Sequence, residues 1–240
     1  MDVLKAQEEG RMGTLVEELA MGKNKFMTKV YDWMGLGFLL TAAVAYSCAA
    51  TPGVMGWLEH HRGLVFLILI AEVCLAQYIS YTGAKESISQ NSAIGLFLAY
   101  CAANGLTLSP LLHIYTSASV HAAFFTTAAI FLTMSAYGHL TKRDLSEPRS
   151  LAVQALWGVI LAMLVNIFLG NALIDFVISC VCVVLFTGLI AFDTQMLRDL
   201  SRGREGDSKS SLPIVGALIL YLDFLNLFVH ILRLFGERKE

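Results

Sequence analysis

Seven long apolar stretches divide the sequence, and they restrict its fold more than any other feature. They lie at residues 30–50, 63–82, 91–109, 114–137, 151–170, 173–197 and 212–234. A helix needs roughly 20 mostly apolar residues to cross the hydrocarbon core of a bilayer, and each stretch is about that long. Because 56% of the 240 residues are hydrophobic and only 15% are charged, we predict an all-α integral membrane protein with seven transmembrane helices.

The third stretch is the least regular of the seven. It contains Asn104 and Gly105 and stops at Pro110, a residue that cannot donate a backbone hydrogen bond within a helix. We therefore expect the third helix to be short, tilted or broken near its end.

The lysines and arginines are distributed unevenly among the segments that connect the stretches. If the N-terminus is cytoplasmic, thirteen of the 17 lie on the cytoplasmic side and four on the opposite side, as the positive-inside rule requires. The sequence thus predicts a cytoplasmic tail at 1–29, a membrane domain at 30–235 and a short C-terminal tail at 236–240. Three basic residues from Arg233 onward oppose an outer C-terminus, and a last helix that crosses incompletely would remove that conflict. The lack of any Asn-x-Ser/Thr sequence favours a bacterial source, and hence an inner membrane.

The last two stretches each contain one aspartate, Asp193 and Asp223. An ionised carboxylate inside a bilayer costs several kcal/mol or more, so it needs a partner or a path to water. Two aspartates on consecutive helices therefore indicate a shared site. In straight, upright helices the two residues would be up to about 15 Å apart along the membrane normal, so contact between them requires a tilt or a break.

The second stretch contains Glu72, about nine residues past its start and hence near the middle of the membrane. Two interpretations of this glutamate remain open. It is either an ion or pore ligand that faces the interior of the helix bundle, or a structural residue that is protonated or hydrogen-bonded, with Gln77 as a nearby partner.

The last stretch has a polar face. Asp223, Asn226, His230 and Arg233 follow one another in steps of three, four and three residues, which places them on one side of a helix. Such a polar stripe is not compatible with a surface that faces lipid. We therefore predict a central C-terminal helix surrounded by the other six.

Other classes of function find little support in the sequence. An intramembrane aspartyl protease also places one aspartate on each of two neighbouring helices, but Asp223 lies in YLDF, without the Gly-x-Gly-Asp context of those enzymes. No His-Glu-x-x-His, Gly-x-Ser-x-Gly or phosphate-binding glycine loop occurs, so we expect neither an enzyme nor an organic cofactor.

The five cysteines lie in the apolar stretches without metal-ligand spacing, and we interpret them as core residues. A net charge of −2 gives no reason to expect a nucleic-acid partner.

Four segments together resemble one known family. They are GLTLSPLL (105–112), YGHLTKRDLS (137–146), AFDTQMLR (191–198) and YLDFLNLFVHILRLFG (221–236). On these segments the chain resembles the Bax inhibitor-1 family, also called the transmembrane Bax inhibitor motif family, and in particular its bacterial members. The resemblance covers nearly the whole chain after the N-terminal tail.

The resemblance implies a fold in which six helices surround a central C-terminal one. It also implies that Asp193 and Asp223 form a proton-sensitive pair that governs a calcium leak, and that Glu72 corresponds to the second-helix glutamate of bacterial relatives. Some relatives carry an arginine about three turns beyond that glutamate, whereas this chain has Gly83 there and Lys85 as the nearest cation. The resemblance therefore does not indicate which contact would stabilise the closed, non-conducting state of such a channel.

The combined expectation is a pH-sensitive calcium leak channel or transporter. Two carboxylates that share a site titrate as a coupled pair, so a shared proton would hold the last two helices together and its loss would open a pore. The two aspartates, Glu72 and waters would form only a weak Ca²⁺ site, since Ca²⁺ takes about six to eight oxygen ligands. The expected partners are the lipid bilayer, calcium ions and protons. The alternative is a non-transporting regulator that binds a membrane protease or another membrane protein.

Overall fold

The computed structural model describes residues 2–51, 53–85, 87–201 and 210–239. Its helices are α1 (Asp2–Ala50), α2 (Val54–His60), α3 (Arg62–Ala84), α4 (Gln90–Ile114), α5 (Ser117–Leu140), α6 (Ser146–Leu169), α7 (Ala172–Ser201) and α8 (Leu212–Phe235). The short α2 aside, seven helices are long and apolar enough to cross a membrane, and the first of these spans is the Lys25–Ala50 part of α1. The predicted all-α fold with seven transmembrane helices is confirmed for the described part of the chain.

Local sequence signals determine several helix ends. Ser89 and Thr116 precede α4 and α5, and the side-chain oxygen of each accepts a 3.2 Å hydrogen bond from the backbone N–H three residues further on, which caps the helix. α6 ends at Gly170, whose φ of 62° lies in the left-handed region that glycine adopts most easily. Pro213 occupies the first turn of α8, where a missing N–H is tolerated.

α4 continues through Pro110 to Ile114, so the expectation of a short or broken third helix is wrong. In a regular helix the carbonyl of Leu106 would accept a hydrogen bond from residue 110, but proline has no N–H to donate. The hydroxyl of Ser109 donates to that carbonyl instead, at 2.7 Å. Substitute partners of this kind allow proline within a transmembrane helix.

α8 is the most deeply buried helix. In its membrane-spanning window 72% of the residues are buried, against 17–33% in the other six spans. It packs against α1, α3, α4, α5 and α7, while α6 packs against α7. Tyr221 of α8 is fully buried, and its hydroxyl lies 2.6 Å from the hydroxyl of Thr41 on α1. This burial agrees with the central position that the polar stripe predicted.

Two glycines allow helices to approach closely around this core. A Cβ atom on Gly105 would lie 2.7 Å from the carbonyl oxygen of Thr41, and one on Gly138 would lie 2.2 Å from that of Ala191. Both distances are too short for any side chain, so glycine is required where α4 crosses α1 and where α5 crosses α7. The second crossing holds the end of α5 against the part of α7 that contains Asp193.

The C-terminal segment folds back onto the connection between α4 and α5. Tyr115 and Arg238 form an antiparallel bridge, and the N–H of Thr116 donates to the carbonyl of Glu237 at 2.9 Å. The C-terminal segment therefore lies on the same face as the α4–α5 connection, opposite the loop between α5 and α6. The last helix therefore runs from the α7 side of the bundle to the face that carries the α4–α5 connection.

Candidate functional site

α7 and α8 bring together the two aspartates that were predicted to share a site. Asp193 and Asp223 are each 5% exposed, and their carboxyl groups lie close enough to influence each other. Oδ2 of Asp223 is buried and has no hydrogen-bond partner in the described part of the chain. Since an ionised carboxylate can only accept hydrogen bonds, two adjacent carboxyl groups are held in contact most easily when they share a proton.

Neither helix needs a break to bring the pair together. α7 extends to Ser201, beyond the predicted end at 197, and this places Asp193 eight residues, or about 12 Å, from the C-terminal end of its helix. Asp223 lies eleven residues, or about 16 Å, from the start of α8 at Leu212. The two depths differ by only about 4 Å, which side chains of neighbouring helices span easily.

A third charged residue completes the site. Arg149, in the first turn of α6, places its Nε 2.5 Å from Oδ1 of Asp193. The arginine side chain is 34% exposed and the aspartate side chain 7%, so the ion pair lies at the boundary between the buried site and the surface. In the described residues Arg149 is the cation that interacts with both aspartates.

Sequence reasoning missed Arg149, which it treated only as one of the basic residues of a loop. One signal was available. The fifth and sixth stretches form a hairpin, so residue 149 at the start of one and Asp193 near the end of the other must lie near the same membrane face. The contact itself depends on how α6 and α7 are rotated, which spacing does not reveal.

Residues that follow Asp193 attach α7 to the loop between α5 and α6. The side-chain oxygen of Gln195 accepts the N–H of Leu145 at 2.8 Å, and its amide donates to the carbonyl of Arg143 at 2.7 Å. Arg198 donates to the carbonyl of His139 at 2.7 Å, near the end of α5. Two of the segments that carried the family resemblance, 137–146 and 191–198, are therefore packed against each other around the acidic pair.

Hydroxyl groups connect the next residue of α7 to α5 and α1. Thr194 donates to Oγ of Ser135 at 3.2 Å, and the hydroxyl of Tyr31 lies 2.6 Å from the same oxygen. Ser135 and Thr194 are buried, so these bonds are shielded from water. These bonds thereby connect the backbone beside Asp193 to α5 and α1.

Glu72 belongs to a different polar cluster. Its carboxylate is 6% exposed and accepts hydrogen bonds from Nδ2 of Asn104 at 3.1 Å and from the hydroxyl of Thr107 at 3.0 Å. Both donors lie on α4, whereas the expected neighbour Gln77 is exposed. Oδ1 of Asn104 is buried and has no partner in the described part of the chain. The structure therefore places a hydrogen-bonded glutamate between α3 and α4, apart from the aspartates.

The polar stripe of α8 divides into separate contacts. Asn226 donates to the carbonyl of Leu222 in its own helix at 2.8 Å. The buried ring of His230 lies 3.2 Å from the hydroxyl of Ser179 on α7, and Arg233 is exposed. The stripe thus faces several neighbours, and it does not extend the acidic pair into a continuous chain of ionisable groups.

The acidic pair is not an open calcium cradle in this conformation. Within the described residues, no group of three or more His, Cys, Asp and Glu side chains is arranged to hold a metal ion. Ca²⁺ requires several oxygen ligands, and the guanidinium of Arg149 already pairs with one oxygen of Asp193. Oδ1 of Asp193 is therefore engaged by Arg149 in this conformation.

Comparison with known proteins connects the site to a family. The family model described as "Inhibitor of apoptosis-promoting Bax1" matches residues 23–240. The matched segment includes Glu72, Arg149 and both aspartates, so the whole candidate site lies within it.

Full-length bacterial relatives support the same assignment. The inner membrane protein YbhL of Escherichia coli K12 is 40% identical over 232 residues, which cover 95% of this chain and 98% of YbhL. An uncharacterized protein of Borreliella burgdorferi is 38% identical over 220 residues, covering 91% of this chain and 94% of that protein. A protein of Deinococcus radiodurans is 37% identical over 231 residues, covering 93% and 98%. The chain is therefore an integral membrane protein that belongs to the Bax inhibitor-1 family.

Proposed function

We propose that this protein is a pH-sensitive calcium leak channel or transporter of a bacterial inner membrane, gated by the pair Asp193 and Asp223. The observation that supports this proposal most strongly is the pairing of two buried carboxyl groups on helices that pack against each other, α7 and α8. Buried ionisable groups within membrane domains commonly mark ion pathways and proton relays. The proposal assigns the protein no enzymatic activity.

In the closed state one proton is shared between the two carboxyl groups. Arg149 balances the negative charge of Asp193, and the proton removes the charge of its neighbour, so the buried site is neutral as a whole. A neutral site is compatible with the low dielectric constant between α7 and α8.

Loss of the shared proton opens the site in this proposal. Two like charges about 4 Å apart repel each other by about 4 kcal/mol at an effective dielectric constant of about 20. Repulsion of that size competes with the packing of α7 on α8, and it frees carboxylate oxygens that attract Ca²⁺. Calcium flux should therefore increase as the pH rises.

Glu72 is proposed as an additional ligand along the calcium path, since it is a buried acidic group in a different part of the bundle. The unpartnered Oδ1 of Asn104 adds a second oxygen beside it. Because each of these positions offers Ca²⁺ only a few oxygen ligands, the ion would bind weakly. Weak binding allows the ion to leave each position again, as permeation requires.

We also propose that the N-terminus faces the cytoplasm, because that orientation places most basic residues inside. The acidic pair then lies in the cytoplasmic half of the membrane domain, since α7 ends at that face. The last crossing places the C-terminal segment outside.

The test is a flux measurement with purified protein in liposomes that contain a calcium-sensitive dye, followed between pH 6 and pH 8. The wild type should admit calcium faster as the pH rises, and Asp193→Asn and Asp223→Asn should each remove the pH dependence. Asp32→Asn is the control, because it makes the same chemical change on a membrane-spanning helix at an exposed residue. It should respond to pH as the wild type does.

Two results would contradict the proposal. If Asp223→Asn protein responded to pH as the wild type does, the pair would not be the gate. If folded, inserted protein gave no flux above that of empty liposomes at any pH, the non-transporting regulator would replace the channel, with the aspartates as a structural contact.

A further inference from the structure

The structure has a groove that opens to the bilayer between α1 and α5. Both helices pack on α8, but they make no extensive contact with each other, and a space of about 690 Å³ remains between them. Its lining includes Met27, Met34, Ala128, Phe131, Leu132 and Phe224. The lining is thus largely apolar, with Phe224 of α8 as the contribution of the central helix.

One end of this groove is polar and lies near two lysines of α1, with the exposed carboxylate of Asp32 about one turn beyond them. The membrane span of α1 begins at Lys25, an exposed residue that lies one turn before the groove residue Thr28 on the same face of the helix. Lys29 is also exposed. His139, near the end of α5, lines the groove at the same level. Cations at the mouth of an apolar groove complement a ligand that has a negative head and an apolar tail.

Hydroxyl groups hold the two walls at a fixed separation. The hydroxyl of Tyr31 on α1 lies 2.6 Å from Oγ of Ser135 on α5, and both residues line the groove. This hydrogen bond spans the groove and fixes the distance between α1 and α5. The groove is therefore a defined part of the fold.

We propose that this groove binds one phospholipid with an anionic headgroup, with an acyl chain between α1 and α5 and the phosphate near Lys25 and Lys29. The groove opens at the depth of the bilayer where such a lipid is present, and anionic lipids are attracted to basic residues at the cytoplasmic surface. A chain in the groove would pack on Phe224, the residue next to Asp223.

The test uses full-length protein in bilayers of phosphatidylcholine and phosphatidylglycerol, with a spin label on the acyl chain of one lipid at a time. The wild type should immobilise labelled phosphatidylglycerol several-fold more strongly than labelled phosphatidylcholine. Native mass spectrometry should find one phosphatidylglycerol retained per chain.

Two pairs of variants separate the chain site from the headgroup site. Ala128→Trp fills the groove and should abolish the retained lipid, whereas Ala129→Trp, on the neighbouring exposed residue, should leave it in place. The double change Lys25→Gln and Lys29→Gln should remove the preference for phosphatidylglycerol while chains remain immobilised. Lys142→Gln, at another exposed cytoplasmic lysine, should preserve that preference.

The proposal is overturned if the wild type shows no preference between the two lipids, or if Ala128→Trp and Ala129→Trp retain lipid equally. The lysine variants change only exposed side chains, so they give a decisive result even if a tryptophan variant fails to fold. None of these measurements depends on calcium flux, so they test the lipid site independently of the proposed channel function.

Discussion

Gly138 and Ala191 mark the closest helix contact beside the acidic pair: a Cβ atom on the glycine would lie 2.2 Å from the alanine carbonyl oxygen. This contact places the C-terminal end of α5 directly on α7, two residues before Asp193. The position of the aspartate thus depends on a residue of another helix that has no side chain.

Gly138→Ala should therefore destabilise the protein by about 1–3 kcal/mol, as overpacking of a tight interior usually does. Thermal unfolding in detergent or nanodiscs should show a melting temperature several degrees lower. Gly158→Ala is the matched control, because no atom lies within 4 Å of the added methyl group. A Gly138→Ala protein as stable as the Gly158→Ala protein would show that α5 and α7 do not cross as described.

Arg149→Gln should increase calcium flux at pH 6, where the proposed shared proton would keep the wild type mostly closed. The change removes the cation that pairs with Asp193, and a buried carboxylate without its partner destabilises the state that contains it. It also leaves carboxylate oxygens available to calcium. We expect flux at this pH to rise several-fold in the liposome assay.

Arg143→Gln is the control for that change, since it removes an arginine from an exposed position in the preceding loop. Its flux should match that of the wild type. Equal flux of the wild type and Arg149→Gln at pH 6 would mean that the ion pair does not stabilise the closed state.

Glu72→Gln should lower calcium flux several-fold at every pH without changing the pH at which flux is half-maximal. The partners of Glu72 are Asn104 and Thr107 on α4, so its carboxyl group lies in a cluster separate from the two aspartates. Thr107→Val keeps the charge and removes one hydrogen bond, and should cost about 1 kcal/mol of stability while flux persists. A shifted pH dependence in Glu72→Gln would instead place the glutamate in the gate.

The two faces of the membrane domain can be distinguished by cysteine labelling. In a Cys74→Ser background, which removes the cysteine that is most exposed, an impermeant maleimide should label Lys239→Cys in intact cells. Lys142→Cys, in the loop between α5 and α6, should react only after permeabilisation. The opposite pattern would reverse the proposed orientation, and labelling of both from one side would contradict a complete crossing by α8.

Asp144 should give the protein a small pH-dependent stability at the start of α6. Its carboxylate accepts the N–H of Ser146 at 2.9 Å, and bonds from this serine hold the pKa of Asp144 below its ordinary value of 3.8. A carboxyl group with a lowered pKa in the folded state stabilises that state above the ordinary value, and the effect is lost as the pH falls through the lowered value.

Asp144→Ala should thus melt at a lower temperature than the wild type at pH 7, and the two curves should converge as the pH falls below 3.8. Thermal unfolding in nanodiscs over that range tests the prediction. Asp144→Asn keeps a side-chain acceptor but does not titrate. If its melting temperature matched that of the wild type only at low pH, the carboxylate charge and not the hydrogen bond would account for the stability at pH 7.

The seven crossings and the acidic residues within them were predictable from the sequence alone. The length of an apolar stretch and the presence of Asp193, Asp223 or Glu72 inside it are local properties, because the bilayer imposes the same thickness and the same penalty on every segment. The polar stripe on the last helix likewise predicted its deep burial, since a stripe needs only helical periodicity.

Partners on other helices were decided only by the tertiary structure. Asn104 and Thr107 bind Glu72, and Arg149 pairs with Asp193, yet neither contact follows from spacing within a single helix. The reason is physical: contacts between helices depend on the rotation, depth and end point of each helix. Sequence periodicity determines which residues share a face of one helix, and only packing determines what that face meets.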